Sequence, residues 1–228
     1  MEDKRLAILI DADNVSPKCI QFILEEAVNH GIPTYKRIYG DWTQPNLGQW
    51  KEVLLQYSIT PMQQYSYTTG KNSTDSALII DAMDILYSQN VDGFCIVSSD
   101  SDFTKLAARL RESGMYVVGM GEKKTPKPFI SACERFKYLE QTPIKDTTDL
   151  KELVEPIKNI IRERSDENGW AFLGEVGGML NKRFPDFDSR NYGYDKLSSL
   201  VKALKEFEVE SRKTSDSKVI LPYIKSKK

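Results

Sequence analysis

The chain of 228 residues is 40% hydrophobic and 29% charged, which is typical of a folded globular protein and excludes a disordered one. Its formal net charge of −1 excludes a globally basic surface, so any nucleic-acid site must depend on a local arrangement of charge. No apolar run reaches the roughly 20 residues that span a bilayer, and the N-terminus lacks the apolar stretch of a signal peptide. We therefore expect a cytoplasmic protein without a membrane partner.

The few histidine and cysteine residues exclude several kinds of catalysis. His30 lies at a predicted helix end, so mechanisms that need a histidine beside a nucleophile are not expected. Cys19, Cys95 and Cys133 are odd in number and widely spaced, which fits neither a disulfide framework nor a zinc site. We predict that all of them are buried, free thiols in a reducing compartment.

The first 140 residues alternate between short apolar runs and amphipathic stretches. In chain order, strands are predicted over 6–10, 34–40, 60–67, 93–99, 115–121 and 136–141, and helices over 16–31, 47–58, 72–90 and 101–114. This alternation indicates right-handed crossovers and an α/β, Rossmann-like fold, in which helices cover both faces of a mostly parallel sheet. The polar, aromatic-rich strand 60–67 is expected at an edge of that sheet.

A different pattern follows residue 141. Residues 142–148 have no apolar periodicity and are predicted to link a first domain, 1–141, to a second domain, 149–228. In the second domain we predict a helix over 149–165 that bends near Pro156, a short helix within 170–185 that Pro185 closes, a helix over 194–207, and a β-hairpin over 208–224. Three helices and a terminal hairpin are typical of a small winged helix-turn-helix domain.

Carboxylates gather where the predicted strands end. Asp11 and Asp13 follow the first strand, Asp100 and Asp102 follow a later buried strand, and Asp75 lies near the start of a helix. In a parallel sheet these side chains converge beyond the carboxyl ends of the strands. Without cationic partners they would repel one another, and a hard divalent cation relieves that repulsion. Because oxygen ligands suit Mg²⁺ or Mn²⁺, the pattern predicts a site for one of these ions.

Each polar residue of this pattern also has a simpler interpretation. An aspartate after a strand often caps the next helix, and Asp102 is placed to do so. Asp81 and Asp84 lie three residues apart on one predicted helix; Asp81 either supports the metal site or is solvated, and Asp84 is expected in solvent. Lys71 and Asn72 either contact a substrate phosphate or form the turn before that helix.

Three segments resemble the signature motifs of NYN domains of the LabA type, which are PIN-like nucleases. The segments are IDADN at 10–14, KNSTD at 71–75 and SSDSDF at 98–103. The resemblance covers about residues 4–141 and implies a PIN-like fold with Mg²⁺ or Mn²⁺ as cofactor. PIN-like domains often dimerise, so a homodimer is one option and the oligomeric state stays open; some NYN domains have no demonstrated activity.

By position, the resemblance assigns roles to individual residues. The metal-binding and catalytic carboxylates would be Asp11, Asp75, Asp100 and Asp102. Asp13 and Asn14 would support them, with Asn14 holding the turn, and the small Ser98 and Ser99 would let the backbone pass close to the site. Many such families have glycine in place of Ser99, a departure with little consequence for metal binding.

Residues 149–224 resemble the LOTUS, or OST-HTH, domain through the segments 172–176, 184–188 and 192–197. The resemblance implies RNA as partner, including structured or double-stranded RNA. The side chains expected to contact RNA are Lys182, Arg183, Arg190, Tyr192 and Lys196, together with Lys71 and Asn72 of the first domain. The alternative interpretation places Phe184, Phe187 and Tyr194 in the core, and for the two phenylalanines we favour it.

These features predict a metal-dependent ribonuclease whose second domain recruits RNA, and two alternatives remain. A haloacid dehalogenase-like phosphatase would use Asp11 as nucleophile, Asp13 as acid/base and Asp100 or Asp102 as metal ligand, but it leaves the second domain without a purpose. A non-catalytic RNA-binding regulatory adaptor would keep the fold, but it has no need for several mutually repelling carboxylates.

Overall fold

The computed structural model describes residues 3–65, 73–140, 147–213 and 220–227. By its internal contacts the chain divides into two units, Met1–Glu140 and Gln141–Lys228, and each is described by itself. Within the described residues, no helix combines the length and the apolar character needed to cross a membrane.

A parallel sheet forms the centre of the first unit. Its strands are β1 (Arg5–Asp11), β2 (Ile32–Gly40), β3 (Thr60–Gln63), β4 (Gly93–Val97), β5 (Tyr116–Gly121) and β6 (Arg135–Tyr138). Their order is β3-β2-β1-β4-β5-β6, and every neighbouring pair is parallel. The chain therefore builds outward from β1 in one direction and returns to build outward from β4 in the other. The point where strand order reverses lies between β1 and β4, which is where such sheets place their ligands.

Helices cover both faces of this sheet. They are α1 (Ile20–Val28), α2 (Trp50–Tyr57), α3 (Ser73–Ser88), α4 (Thr104–Glu112) and α5 (Lys127–Ala132). Successive residues of β1 point to opposite faces, so Ile8 and Ile10 join the apolar cluster under α1 and α2, whereas Ala7 and Leu9 join the cluster under α3, α4 and α5. The predicted fold class is thus confirmed, and the unbroken apolar run of β1 is explained by burial on both sides.

Several element boundaries differ from the sequence prediction. The predicted helix over 16–31 begins with a separate 3-10 turn, Pro17–Cys19, which Ser16 caps by accepting a hydrogen bond from the Lys18 amide. The helix α5 was not predicted, because its six residues are too few to display a periodicity. The strand predicted over 60–67 covers Thr60–Gln63 and lies at the sheet edge, as expected; residues 66 and 67 lie outside the described residues.

The second unit combines short helices with a small antiparallel sheet. Its elements are α6 (Thr147–Glu152), α7 (Val154–Arg164), β7 (Ala171–Phe172), α8 (Leu173–Arg183), α9 (Leu197–Ala203), β8 (Phe207–Lys213) and β9 (Ile220–Ser226). The strand order is β7-β9-β8, and both pairs are antiparallel. Ile157 of α7, Val176 of α8, Leu200 of α9 and Ile224 of β9 are fully buried in one apolar cluster. Helices packed on a terminal hairpin agree with the predicted C-terminal domain.

Two helix predictions in this unit were wrong in detail. The helix predicted over 149–165 with a bend near Pro156 is two helices, which meet at Leu153. Pro156 lies in the first turn of α7, where a missing N–H leaves no helical hydrogen bond unmade. The helix predicted over 194–207 is only α9, because Gly193, with φ of 82°, ends a preceding 3-10 turn and leaves Tyr194 outside the helix.

The first residue of β4 provides a test of the sheet packing. A Cβ added at Gly93 would lie 2.4 Å from the Tyr116 carbonyl oxygen on the neighbouring strand, so Gly93→Ala must displace backbone. We expect this variant to lose about 1–3 kcal/mol of unfolding free energy, measured by denaturant or thermal unfolding. Gly48→Ala is the control, since an added Cβ there has no described atom within 4 Å. Equal stability of the two variants would contradict the packing described for β4 and β5.

Candidate metal centre

The buried carboxylate of Asp11 ends β1 and is held in a fixed orientation. Its Oδ1 accepts a hydrogen bond from the Asp13 amide at 3.0 Å, and its Oδ2 accepts from Asn14 Nδ2 at 2.7 Å and from Ser98 Oγ at 2.8 Å. Burial raises the pKa of Asp11, and the hydrogen bonds from Ser98, Asn14 and Asp13 oppose that rise by stabilising the ionised form. The side chain therefore presents one defined geometry at the carboxyl end of the sheet.

Ser98 connects the ends of the two central strands. Its fully buried hydroxyl donates to Asp11 Oδ2 and accepts from the Asp100 amide at 3.1 Å. The next hydroxyl, that of Ser99, accepts from the Glu122 amide at 2.8 Å and so holds the end of β5. Both serines have hydrogen-bonding roles in addition to the small size that the family resemblance implied.

Three further carboxylates converge beside these strand ends. One oxygen of each of Asp75, Asp100 and Asp102 lies within 4.8 Å of the others. Asp75 comes from the first turn of α3, whereas Asp100 and Asp102 follow β4. Asp100 caps the 3-10 turn after β4, with its Oδ1 accepting from the Asp102 amide at 2.9 Å. The cap is therefore Asp100 and not Asp102, because the turn starts one residue after Asp100.

The pKa of Asp75 reflects its crowded position. Burial, together with the negative charges of Asp11, Asp100, Asp102 and Asp13, raises this pKa from 3.8 to about 6. All five carboxylates that the sequence pattern picked out thus interact electrostatically around Asp75, although only three belong to the group within 4.8 Å.

The donor set fits a hard divalent cation. Every candidate ligand atom is a carboxylate oxygen, which Mg²⁺ and Mn²⁺ prefer, and a positive ion would relieve the repulsion that raises the pKa of Asp75. Within the described residues, no other group of three His, Cys, Asp or Glu side chains has this spacing.

The structure places the remaining first-unit candidates elsewhere. Asp81 does not belong to the acidic group, which consists of Asp75, Asp100 and Asp102. Its carboxylate instead accepts hydrogen bonds from Arg37 Nη1 and Tyr39 Oη on β2. Asp84 is exposed, as expected for a solvated position. Lys71 and Asn72 lie outside the described residues, so their predicted contact with a phosphate stays a prediction.

The sequence pattern missed one buried acid at the same sheet edge. Asp41 directly follows β2 and accepts hydrogen bonds from Thr43 Oγ1 at 2.6 Å, Gln44 Nε2 at 3.3 Å and Gln63 Nε2 at 3.0 Å. The rule that identified Asp11 and Asp100, an aspartate directly after a strand, would have found it. Its contacts join the end of β2 to the end of β3.

Most of the residues expected to bind RNA in the second unit contact neighbours of their own unit. Arg183 pairs with Glu163 at 2.5 Å and Arg190 pairs with Asp188 at 2.6 Å. The ring of Tyr192 packs against the apolar cluster of the second unit. By contrast, the side chains of Lys182 and Lys196 are exposed.

Two expectations about burial are corrected. Phe187 is buried, as favoured, but Phe184, which directly follows the last residue of α8, is 37% exposed. Cys95 and Cys133 are buried free thiols whose burial raises their pKa, that of Cys133 to about 12. Cys19 is only half-buried, because it ends the 3-10 turn before α1.

Comparisons with known protein families agree with this architecture. The NYN domain matches residues 5–140, and the OST-HTH/LOTUS domain matches residues 148–219. A search of curated proteins gave no match.

Several solved structures are similar to part of the chain. The crystal structure of a protein of unknown function from Vibrio parahaemolyticus is 22% identical, with a TM-score of 0.51, and the match covers 61% of this chain and 94% of that one. An uncharacterised protein from Nitrosomonas europaea is 44% identical over 32% of this chain and 70% of its own, with a TM-score of 0.30. A Chromobacterium violaceum protein is 26% identical over 37% of this chain and 85% of its own, with a TM-score of 0.28.

The six-stranded parallel sheet with helices on both faces, together with the NYN match, gives the first unit a PIN-like, nuclease-like fold. The family match extends over more than half of the chain, and this chain belongs to the NYN domain family. Its second unit carries an OST-HTH/LOTUS domain, a type of domain that suggests RNA binding. The predicted family and domain types are confirmed, and the likeness to the Vibrio structure supports the fold alone.

The raised pKa of Asp75 predicts how metal-free stability depends on pH. The folded chain binds the Asp75 proton more tightly than the unfolded chain, so the stability that this proton contributes is present near pH 4 and is lost as the pH rises through about 6. In EDTA at pH 7.5 we expect Asp75→Asn to unfold at a higher temperature than the wild type, and at pH 4 we expect this difference to vanish.

Thermal unfolding with and without Mn²⁺ checks the same prediction. Mn²⁺ should raise the unfolding temperature of the wild type and of the control Asp84→Asn, and it should have much less effect on Asp75→Asn. A wild type that is more stable than Asp75→Asn in EDTA at pH 7.5 would contradict the proposed repulsion.

Proposed function

We propose that this protein is a metal-dependent ribonuclease that hydrolyses RNA phosphodiester bonds. The observation that carries the proposal is the convergence of Asp75, Asp100 and Asp102 beside the buried Asp11 at the switch point of the sheet. The NYN family supports a nuclease-like fold, and the OST-HTH/LOTUS domain supports RNA as the partner.

The acidic residues suit this chemistry by their position. Asp75, Asp100 and Asp102 would hold Mg²⁺ or Mn²⁺, with Asp11 beside them. A bound ion would supply an activated water and would stabilise the charge that develops on the phosphodiester. The Ser98 hydroxyl joins Asp11 and Asp100, because it donates to the Asp11 carboxylate and accepts from the Asp100 amide. Because Asp75 must lose its proton to act as a ligand, metal affinity should weaken below pH 6.

The environment of Asp11 favours the nuclease over the phosphatase alternative. A nucleophilic carboxylate needs an accessible oxygen, whereas Asp11 is fully buried and accepts three hydrogen bonds from Asp13, Asn14 and Ser98. We retain Asp13 and Asn14 as supporting residues on the same grounds. A catalytically silent RNA-binding adaptor is the competing function, and the cleavage assay below distinguishes it.

Two further features belong to this proposal. We propose a homodimer that uses the β3 edge of the sheet, because β3 has a strand neighbour on one side only. We also propose a cytoplasmic location, which agrees with the free thiols of Cys95 and Cys133.

The first experiment measures cleavage of single-stranded, duplex and structured RNA with Mn²⁺, Mg²⁺ or EDTA. We expect metal-dependent cleavage by the wild type, and a fall to the EDTA background for Asp11→Asn and Asp100→Asn, because each loses a charge of the metal site. Asp84→Asn is the control, since it removes an exposed carboxylate outside the acidic group.

The outcomes of this assay separate the two functions. Unchanged cleavage in both Asp11→Asn and Asp100→Asn would remove the proposed site. RNA binding by the wild type without cleavage of any substrate would favour the adaptor.

A second experiment tests RNA recruitment by the second unit. In the Asp100→Asn background, which prevents cleavage, we expect Lys182→Glu with Lys196→Glu to weaken RNA binding at least about tenfold and to reduce its salt dependence. Fluorescence anisotropy titrations at two salt concentrations measure both effects. Lys51→Glu, an exposed charge reversal in the first unit, is the control. Equal RNA affinities for the double variant and the control would contradict RNA binding by Lys182 and Lys196.

A further inference from the structure

A polar cluster inside the first unit joins α3 to β2. Asp81 accepts hydrogen bonds from Arg37 Nη1 through one oxygen and from Tyr39 Oη through the other. The Arg37 guanidinium also lies over the Tyr35 ring, at 5.1 Å from its centre. Tyr35, Arg37 and Tyr39 alternate along β2 and share the face that α3 covers. We name Asp81, Arg37 and Tyr39 the α3 clamp.

The clamp lies close to the acidic group in two directions. Asp81 follows Asp75 by six residues on α3, a distance of about 9 Å along the helix axis. Tyr39 is the register partner of Asp11 in the pairing of β1 with β2. One set of contacts therefore relates the helix that carries Asp75 to the strands that carry Asp11.

Because this cluster is largely buried, it contributes little net stability for the charges that it removes from water. Tyr39 is 1% exposed, and the side chains of Arg37 and Asp81 are 27% and 17% exposed. Removing two charges from water costs free energy that their attraction repays only in part, and apolar residues often serve as well. Hydrogen bonds to both oxygens of Asp81, however, are directional, so they fix how far α3 slides and rotates on the sheet.

The acidic group requires such a restraint. Without a cation, Asp75 is repelled by Asp11, Asp100 and Asp102, and this repulsion acts on the first turn of α3. Apolar contacts of Leu78 and the residues beyond it resist separation of the helix from the sheet, but they have little directional preference.

We propose that Asp81 is a positioning residue of the metal site, which holds α3 so that Asp75 meets Asp100 and Asp102. This inference rests on the proposed metal-dependent function. Asp81 acts through Arg37 and Tyr39 and does not itself bind the ion.

Calorimetric titration of the full chain with Mn²⁺ tests the proposal without RNA. We expect Asp81→Asn to bind Mn²⁺ at least about tenfold more weakly than the wild type and Tyr39→Phe to show a smaller loss in the same direction. Asp84→Asn, on the same helix and exposed, should bind as the wild type does.

A double variant separates positioning from simple stability. Asp81→Asn alone leaves the Arg37 guanidinium without its carboxylate, which can destabilise the fold, whereas Arg37→Met with Asp81→Leu, made in the Tyr39→Phe background, removes both charges and leaves no buried hydroxyl without an acceptor. We expect the double variant to unfold near the wild-type temperature in EDTA and still to bind Mn²⁺ weakly. Wild-type Mn²⁺ affinity in the folded double variant would overturn the positioning role. Absence of Mn²⁺ binding by the wild type would instead overturn the metal site and, with it, this inference.

Discussion

Repulsion among carboxylates at the switch point of the sheet is the constraint on which the rest of the first unit depends. Parallel strands end at one edge, and this chain places Asp11 and Asp13 at and just after the end of β1 and Asp100 and Asp102 after β4 at that edge. Hydrogen bonds hold these residues in place. Ser98 and Asn14 donate to the Asp11 carboxylate, and the Ser98 hydroxyl accepts from the Asp100 amide. The carboxylates repel one another in this arrangement, and a bound divalent cation would offset that repulsion.

Much of the fold follows from local patterns. The unbroken apolar run of β1 required cover on both faces, and alternating strands and helices required parallel crossovers. The elements that escaped prediction are short: α5 has six residues and β7 has two, too few to express a period of 3.6 or 2. The break at Leu153 was misplaced because proline tolerates the first turn of a helix, so its presence alone does not locate a kink.

The candidate site was predictable in part for a related reason. Topology alone brings strand ends together, so proximity of Asp11, Asp75 and Asp100 needed no knowledge of side-chain contacts. The partners of Asp81 depend on how α3 is rotated against β2, and helical spacing does not specify which strand residues face it. The surroundings of Arg183 and Arg190 were missed similarly, because the acids that pair with them, Glu163 and Asp188, were not considered as partners.

The central place of β1 has a consequence for synthesis of the protein. Asp11 is translated about 90 residues before its hydroxyl partner Ser98 and the companion Asp100, which lie at the end of β4. A nascent chain that ends within α3 has the first aspartate without the strand that completes its surroundings. The acidic site can therefore assemble only after β4 has been translated, because Ser98 and Asp100 complete the surroundings of Asp11.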